Sequence, residues 1–262
     1  MPVKGATVGW KTFRIKLRIK QRLVGNLPPD EKLIGYAAKA SAKELGAEEE
    51  AVKEEMLEDT ALAREEAEEE ERPPTAGLLV LPRDEYGIYV RGNRHVKGLL
   101  KEAIRMLGIR GATEVIRHAV DVIGDIEDRI YLRRGGKVIK EPDGLLRRGI
   151  KAMTMRGPRA SIKLEEFVEN KPDQPIELEF CVRILGTQWG RRGRRKAPLD
   201  EETWNNIWEV AQVIGLLGER SLGEGQFTVE EIKEITEEEL RKWREERAKE
   251  LKESKGPEPE EG

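Results

Sequence analysis

Cysteine and histidine are almost missing from this 262-residue chain, which has one cysteine, Cys181, and two histidines, His95 and His118. One thiol excludes an internal disulfide and fits a reducing compartment. Two separated histidines, with carboxylates gathered in runs, give no metal-ligand spacing. Aromatic residues make up only 5%, which limits base stacking as a source of affinity. No apolar run approaches the roughly 20 residues that span a bilayer, and no charged-then-apolar leader opens the sequence. A Walker loop, a GxSxG elbow and a Cys/His pair are all lacking. These absences predict a cytoplasmic protein with no membrane role, no metal, and no small-molecule cofactor.

Charge is what the chain has in excess. Charged residues reach 38%, against about 25% in ordinary soluble domains. Net charge is only -3, but it is segregated: residues 1–29 hold seven Lys/Arg and no acid, whereas residues 30–71 hold 5 basic and 16 acidic side chains. A second acidic block forms the C-terminal tail. Blocks of like charge predict solvated helices or frayed extensions; without them, the body is basic.

Periodicity supplies the scaffold. WKTFRIKLRIK alternates Phe13, Ile15, Leu17 and Ile19 with Arg14, Lys16, Arg18 and Lys20, predicting a strand with one buried and one cationic face. That cationic face is either a phosphate contact or an ordinary solvent side. GLLVLPRDEYGIYVRG predicts two strands around a turn, and NRHVKGLLKEAIRMLG a helix capped by Asn93 and stopped by Gly108. ATEVIRHAVDVIG predicts a shorter helix, and EDRIYLRRGGKVIKEPDG a hairpin turning at Gly135-Gly136. IKAMTMRGPRASIKLEEFVE predicts two strands around Gly157-Pro158, and PIELEFCVRILG an alternating strand. Asp200 caps a helix with Trp204, Ile207, Trp208, Ala211 and Ile214 on one stripe, and GQFTVEEI closes as a strand. Without insertions the order is strand, helix, strand, strand, helix, strand. The fold class is therefore α+β, the split βαβ or ferredoxin-like arrangement.

Between the last helix and last strand lies IGLLGERSLGEGQFTV. Gly215 and Gly225 have ordinary roles in ending a helix and starting a strand. Gly218 and Gly223, flanking Arg220 and Ser221, would offer backbone amides beside a cation and a hydroxyl, a composition suited to a phosphodiester. Two acid-free runs point the same way: Arg147, Arg148, Lys151, Arg156, Arg159 and Lys163 in the first, and Arg191, Arg192, Arg194, Arg195 and Lys196 in the second. Phosphate binding explains such runs; the alternatives are a solvated loop or an interface with the chain's own glutamates. Trp189 and Phe167 are candidate stacking residues, while Trp204 and Trp208 read as core and Trp243 as an anchor for the tail helix.

GLLGERSLGEGQFTV resembles the C-terminal glycine-rich loop of the RAMP superfamily, the RNA-binding proteins of CRISPR systems. YVRGNRHVKGLLKEAIRML resembles the first-helix motif of the same proteins, at Val96-Lys97-Gly98-Leu99-Leu100-Lys101. Within that superfamily the likeness is to the backbone subunit that polymerises along CRISPR RNA. The chain also resembles a family of uncharacterised phage proteins sharing MTMRGPRASIKLEEFVE and the glycine-rich ending; for a phage-encoded protein the compartment is the host cytoplasm. The resemblance implies a modified RNA-recognition-type fold, a protruding thumb, and binding of single-stranded RNA or DNA by side-by-side copies. Residues 1–235 would form the binding domain, with 28–72 an acidic helical insertion and 140–172 the hairpin thumb, and residues 236–262 an acidic helix and disordered tail. Arg94, His95 and Lys97 join the basic runs and the glycine-rich loop as nucleic-acid ligands. Some relatives cut RNA without metal through a histidine, which makes His95 a weak catalytic candidate. An early-loop aspartate of some backbone subunits has no convincing match, since the surroundings of Asp30 depart from the pattern. A binding protein is thus the main expectation, a metal-independent endoribonuclease or a protein-binding structural module the alternatives.

Overall fold

The structure is a computed structural model, and it describes residues 9–26, 77–154, 157–192, 195–218 and 220–254. The 28–72 insertion, Arg156, Arg194 and the tail beyond residue 254 lie outside the described residues.

Strand β1 (Trp10–Ile19) is central and alternates as its sequence requires, with Phe13, Ile15, Leu17 and Ile19 buried. It pairs antiparallel with β11 (Ile176–Leu185) on one side and β14 (Phe227–Ile235) on the other. Strand β5 (Val120–Ile123) lies outside β11, also antiparallel. The spatial order is therefore β14-β1-β11-β5. Helix α1 (Lys97–Leu107) lies between β1 and β5 in the chain, and α3 (Glu201–Ile214) between β11 and β14. This is the ferredoxin-like topology that the element order predicts. Both helices pack on one sheet face, where Leu99, Leu100, Ala103 and Ile104 meet Trp204, Ile207, Trp208 and the inward residues of β1 and β11 in one core. As expected, Asp200 caps α3 by accepting the Thr203 N–H at 3.0 Å, and Gly108 ends α1 in a left-handed conformation.

Four local readings are corrected. The segment read as one short helix divides into α2 (Ala112–His118) and β5. Val115, Ile116, Ala119 and Ile123 suit a helical stripe, but Val120-Asp121-Val122-Ile123 is equally an alternating, largely β-branched strand, and pairing with β11 decides between them. The two strands of GLLVLPRDEYGIYVRG are real, but their arms meet only next to the turn, at an isolated antiparallel bridge between Arg83 and Ile88, and each strand takes its main partner elsewhere. Strand β3 (Gly77–Leu79) runs parallel to β10 (Gly157–Glu169), and β4 (Tyr89–Arg91) pairs with β6 (Arg129–Tyr131). Asn93 caps nothing with its side chain: a π-helical turn, Gly92–Val96, precedes α1, and the Asn93 N–H donates to the Asp128 carboxylate at 3.3 Å.

The fourth correction concerns the tail. Helix α4 (Glu237–Ser254) is acidic in its first turn, but it is not a solvated extension. Leu240 and Trp243 are buried against Ile123, Cys181 and Ile235, and Leu251 against Tyr89 and Tyr131. The helix covers part of the sheet face opposite α1 and α3. Arg247 bridges Glu179 of β11, Glu250 and the buried Asp125. Desolvation raises the Asp125 pKa, against the attraction of Arg133 at 2.8 Å.

Between β5 and β11 the chain forms small strands and one long hairpin. The turn at Gly135-Gly136 joins β7 (Arg133–Arg134) to β8 (Lys137–Val138) with positive φ at both glycines, as the sequence implies. Strand β9 (Gly144–Thr154) pairs with β10 along its whole length, inside the segment read as a thumb. Strand β2 (Arg22–Val24) pairs with the far end of β10.

Candidate nucleic-acid interface

The glycine-rich loop is built around close backbone contacts. A Cβ on Gly225, at φ +72, would overlap the Leu216 carbonyl, and one on Gly218 would lie 2.5 Å from the Gly25 carbonyl oxygen. The Gly218 N–H donates to Val24 at 3.2 Å, and the Gly223 N–H to Arg220 at 3.0 Å. Neither amide is thus offered to a ligand, against the expectation from sequence: these glycines let the loop lie flat on the end of β2. What the loop presents outward is a 3-10 turn, Arg220–Leu222, with Arg220 and Leu222 exposed.

The loop meets the first-helix motif. The Arg220 guanidinium is 2.5 Å from the Glu102 carboxylate of α1, and its charge is felt at His95 in the π-helical turn. The turn itself requires Gly92, because a Cβ there would come within 2.5 Å of Val122 on β5. His95 Nδ1 accepts the Arg91 N–H at 3.2 Å, while Nε2 is buried with no hydrogen-bond partner among the described residues. Burial, then the charges of Arg94 and Arg91, push its pKa down to about 4, with Asp128 opposing. His95 is therefore a neutral hydrogen-bond donor at physiological pH and is not charged for general-acid work. Burial also lowers the Lys97 pKa, with Asp121 opposing. Arg91 and Arg94 are exposed.

The base of the β9–β10 hairpin joins the same end of the molecule through Glu224, which is only 4% exposed. Glu224 binds Arg148 at 2.7 Å and Arg22 at 2.8 Å, so one loop carboxylate links β9, β2 and the loop. Arg148 also reaches Glu165 at 2.9 Å, and Lys163 reaches Glu165 at 2.6 Å. Buried charges need such partners, and these two cations are engaged in the scaffold; Arg147 is exposed. Lys151 faces Ala160 and Arg159 faces Ala152 across the outer hairpin.

Two expected contributors lie elsewhere. Strands β12 (Arg191–Arg192) and β13 (Arg195–Lys196) form a small hairpin before the N-terminus of α3, whereas the glycine-rich loop follows its C-terminus. The 14 residues of α3 place them at opposite ends of that helix, about 21 Å apart at 1.5 Å per residue. The cationic face of β1 is neutralised: Arg14 pairs with Glu231, Lys16 with Glu177 and Arg18 with Glu230, at 3.1, 3.1 and 3.5 Å. Trp189 is not free to stack, since its ring lies 4.9 Å from Phe13 with Lys11 above it. Phe167 is half-buried.

The candidate site therefore consists of Arg91, Arg94, His95, Lys97 and Arg220, with Ser221 in the 3-10 turn and the hairpin base alongside. Arg91, Glu102, Asp128 and Glu224 were missed from sequence. Arg91 was legible as the cation before the motif glycine; the carboxylates carry no local signal, because each acts on a residue far away in the chain.

Among the described residues no cluster of His, Cys, Asp and Glu could hold a metal ion, and no helix is long and apolar enough to cross a membrane. No family model and no curated protein matches the chain. Among solved structures it is similar to a chain in the cryo-EM structure of the Type III-B Cmr-beta complex bound to cognate target RNA, with 14% identity and a TM-score of 0.42. The match covers 88% of this chain and 62% of that one, so this chain spans less than two thirds of its neighbour's length. Likeness at that level assigns neither family nor activity.

Proposed function

We propose that this protein binds single-stranded nucleic acid, RNA or DNA, through the phosphate backbone and without reading sequence, where the π-helical turn, the glycine-rich loop and the hairpin base meet. One observation carries the reading. Arg220 comes from the other end of the sequence to contact Glu102 of α1 at 2.5 Å, on the helix that follows the turn carrying the exposed Arg91 and Arg94. Cations collected from remote segments of the chain suit a polyanion. With α4 over part of the sheet and glutamates beside the β1 cations, this end offers cations that the opposite sheet face does not. The two motif resemblances fall on the two segments that meet here, and side-by-side assembly with the β9–β10 hairpin as thumb belongs to the same proposal.

The test is fluorescence anisotropy with single-stranded RNA, single-stranded DNA and duplex of mixed sequence, over a range of salt. Arg220→Ala should weaken binding alike for all single-stranded sequences. It should also reduce the slope of log affinity against log salt by about 0.7, the value of one single-strand phosphate contact. Unchanged affinity and slope overturn the assignment.

A further inference from the structure

The two carboxylates that engage the glycine-rich loop differ in a way that decides their roles. Glu224 is 4% exposed and holds two arginines, so removing it would strand buried charge. Glu102 and Arg220 pair only with each other among the described residues, with side chains 43% and 38% exposed. Pairs this wet contribute little to stability, so water or another anion displaces Glu102 readily. Among the described residues the surface beside the pair is open: Gly98, one turn before Glu102 on the same stripe of α1, has no atom within 4 Å of where a Cβ would stand.

We propose that Glu102 is an intramolecular stand-in for the phosphate, occupying Arg220 until a nucleic-acid backbone displaces it. The inference rests on Arg220 as a phosphate ligand and adds how that ligand is regulated. Binding is then an exchange: a phosphate oxygen takes the guanidinium N–H groups, and the Glu102 carboxylate turns to water. An exposed glutamate imposes a threshold, favouring a polymer that presents several phosphates at once over isolated anions that gain only the Arg220 contact.

The experiment is a double-mutant cycle on the full chain, with Glu102→Gln, Arg220→Ala and the double variant, read by anisotropy with a single-stranded RNA. Glutamine keeps the size of Glu102 and removes its charge. Glu102→Gln should tighten binding about two- to fivefold, the range that an exposed pair of this kind permits. In the Arg220→Ala background the same substitution should change affinity little, because the carboxylate acts through Arg220. Equal tightening in both backgrounds would mean a long-range field and overturn the exchange, and so would no tightening in either. Arg220→Ala without effect is a different result: it removes the phosphate ligand itself, and the exchange with it. Absence of binding by all four proteins overturns the proposed function and this inference together.

Discussion

The indole N–H of Trp243 donates to a Glu179 carboxylate oxygen across 2.8 Å, fixing the last helix to the central sheet. The same ring covers Cys181, whose thiol is buried and pushed up to about 12 by desolvation and then by the Glu179 charge. A thiol in that state is neither ionised nor reachable.

Trp243→Ala should therefore do two things at once. Emptying a site that is 6% exposed should lower stability by about 3–5 kcal/mol, measured by chemical denaturation. It should also uncover Cys181, so that a thiol reagent at pH 8, inert towards the native wild type, modifies the variant. Rapid modification of native wild type would mean that α4 does not shield the sheet.

What could be read in advance divides along a physical line. Alternation placed β1, β11 and β14, the Gly108 stop placed the end of α1 and the Asp200 cap the start of α3, because these depend on residues a few positions apart. The ferredoxin-like order followed. Pairings between distant segments could not be read locally. Arg14, Lys16 and Arg18 look like a phosphate-facing stripe until β11 and β14 place Glu177, Glu230 and Glu231 beside them. The arginine hairpin and Arg220 look like one basic surface until α3 separates them end from end. The tail looks solvated by composition, yet Leu240, Trp243 and Leu251 form a sparse stripe sufficient to dock it.

Gly98 gives the second prediction. It lies inside the continuous helical stretch made by the π-helical turn and α1, where glycine costs roughly 0.5–1 kcal/mol relative to alanine, and no described atom comes within 4 Å of a Cβ built there. Gly98→Ala should accordingly raise the unfolding free energy by about that amount. Under the proposed function a bulkier residue there stands in the path of a backbone reaching Arg220. Gly98→Leu should keep a stability at least that of wild type while weakening RNA binding severalfold. A stabilised variant with full affinity would show that the ligand does not pass over this stripe.

His95 gives the third, and its sign follows from the direction of the shift. Its pKa falls from 6.5 to about 4 on folding, so the native state refuses a proton that the unfolded chain accepts. Above pH 6.5 both states are neutral at this residue and it adds no pH dependence. As pH falls from 6.5 towards 4 the unfolded state is favoured increasingly, by on the order of 3 kcal/mol once the native histidine also titrates. The difference in stability between wild type and His95→Asn should be flat above pH 7 and should move against the wild type below 6.5. The His95 ring-proton chemical shift should report the low pKa directly. RNA affinity should not rise as pH drops from 8 to 6, since the imidazole stays neutral throughout, whereas a histidine of ordinary pKa beside a phosphate would strengthen binding across that interval. A midpoint near 6.5 in the ring-proton titration would mean that His95 is solvated and that general-acid chemistry is open to it after all.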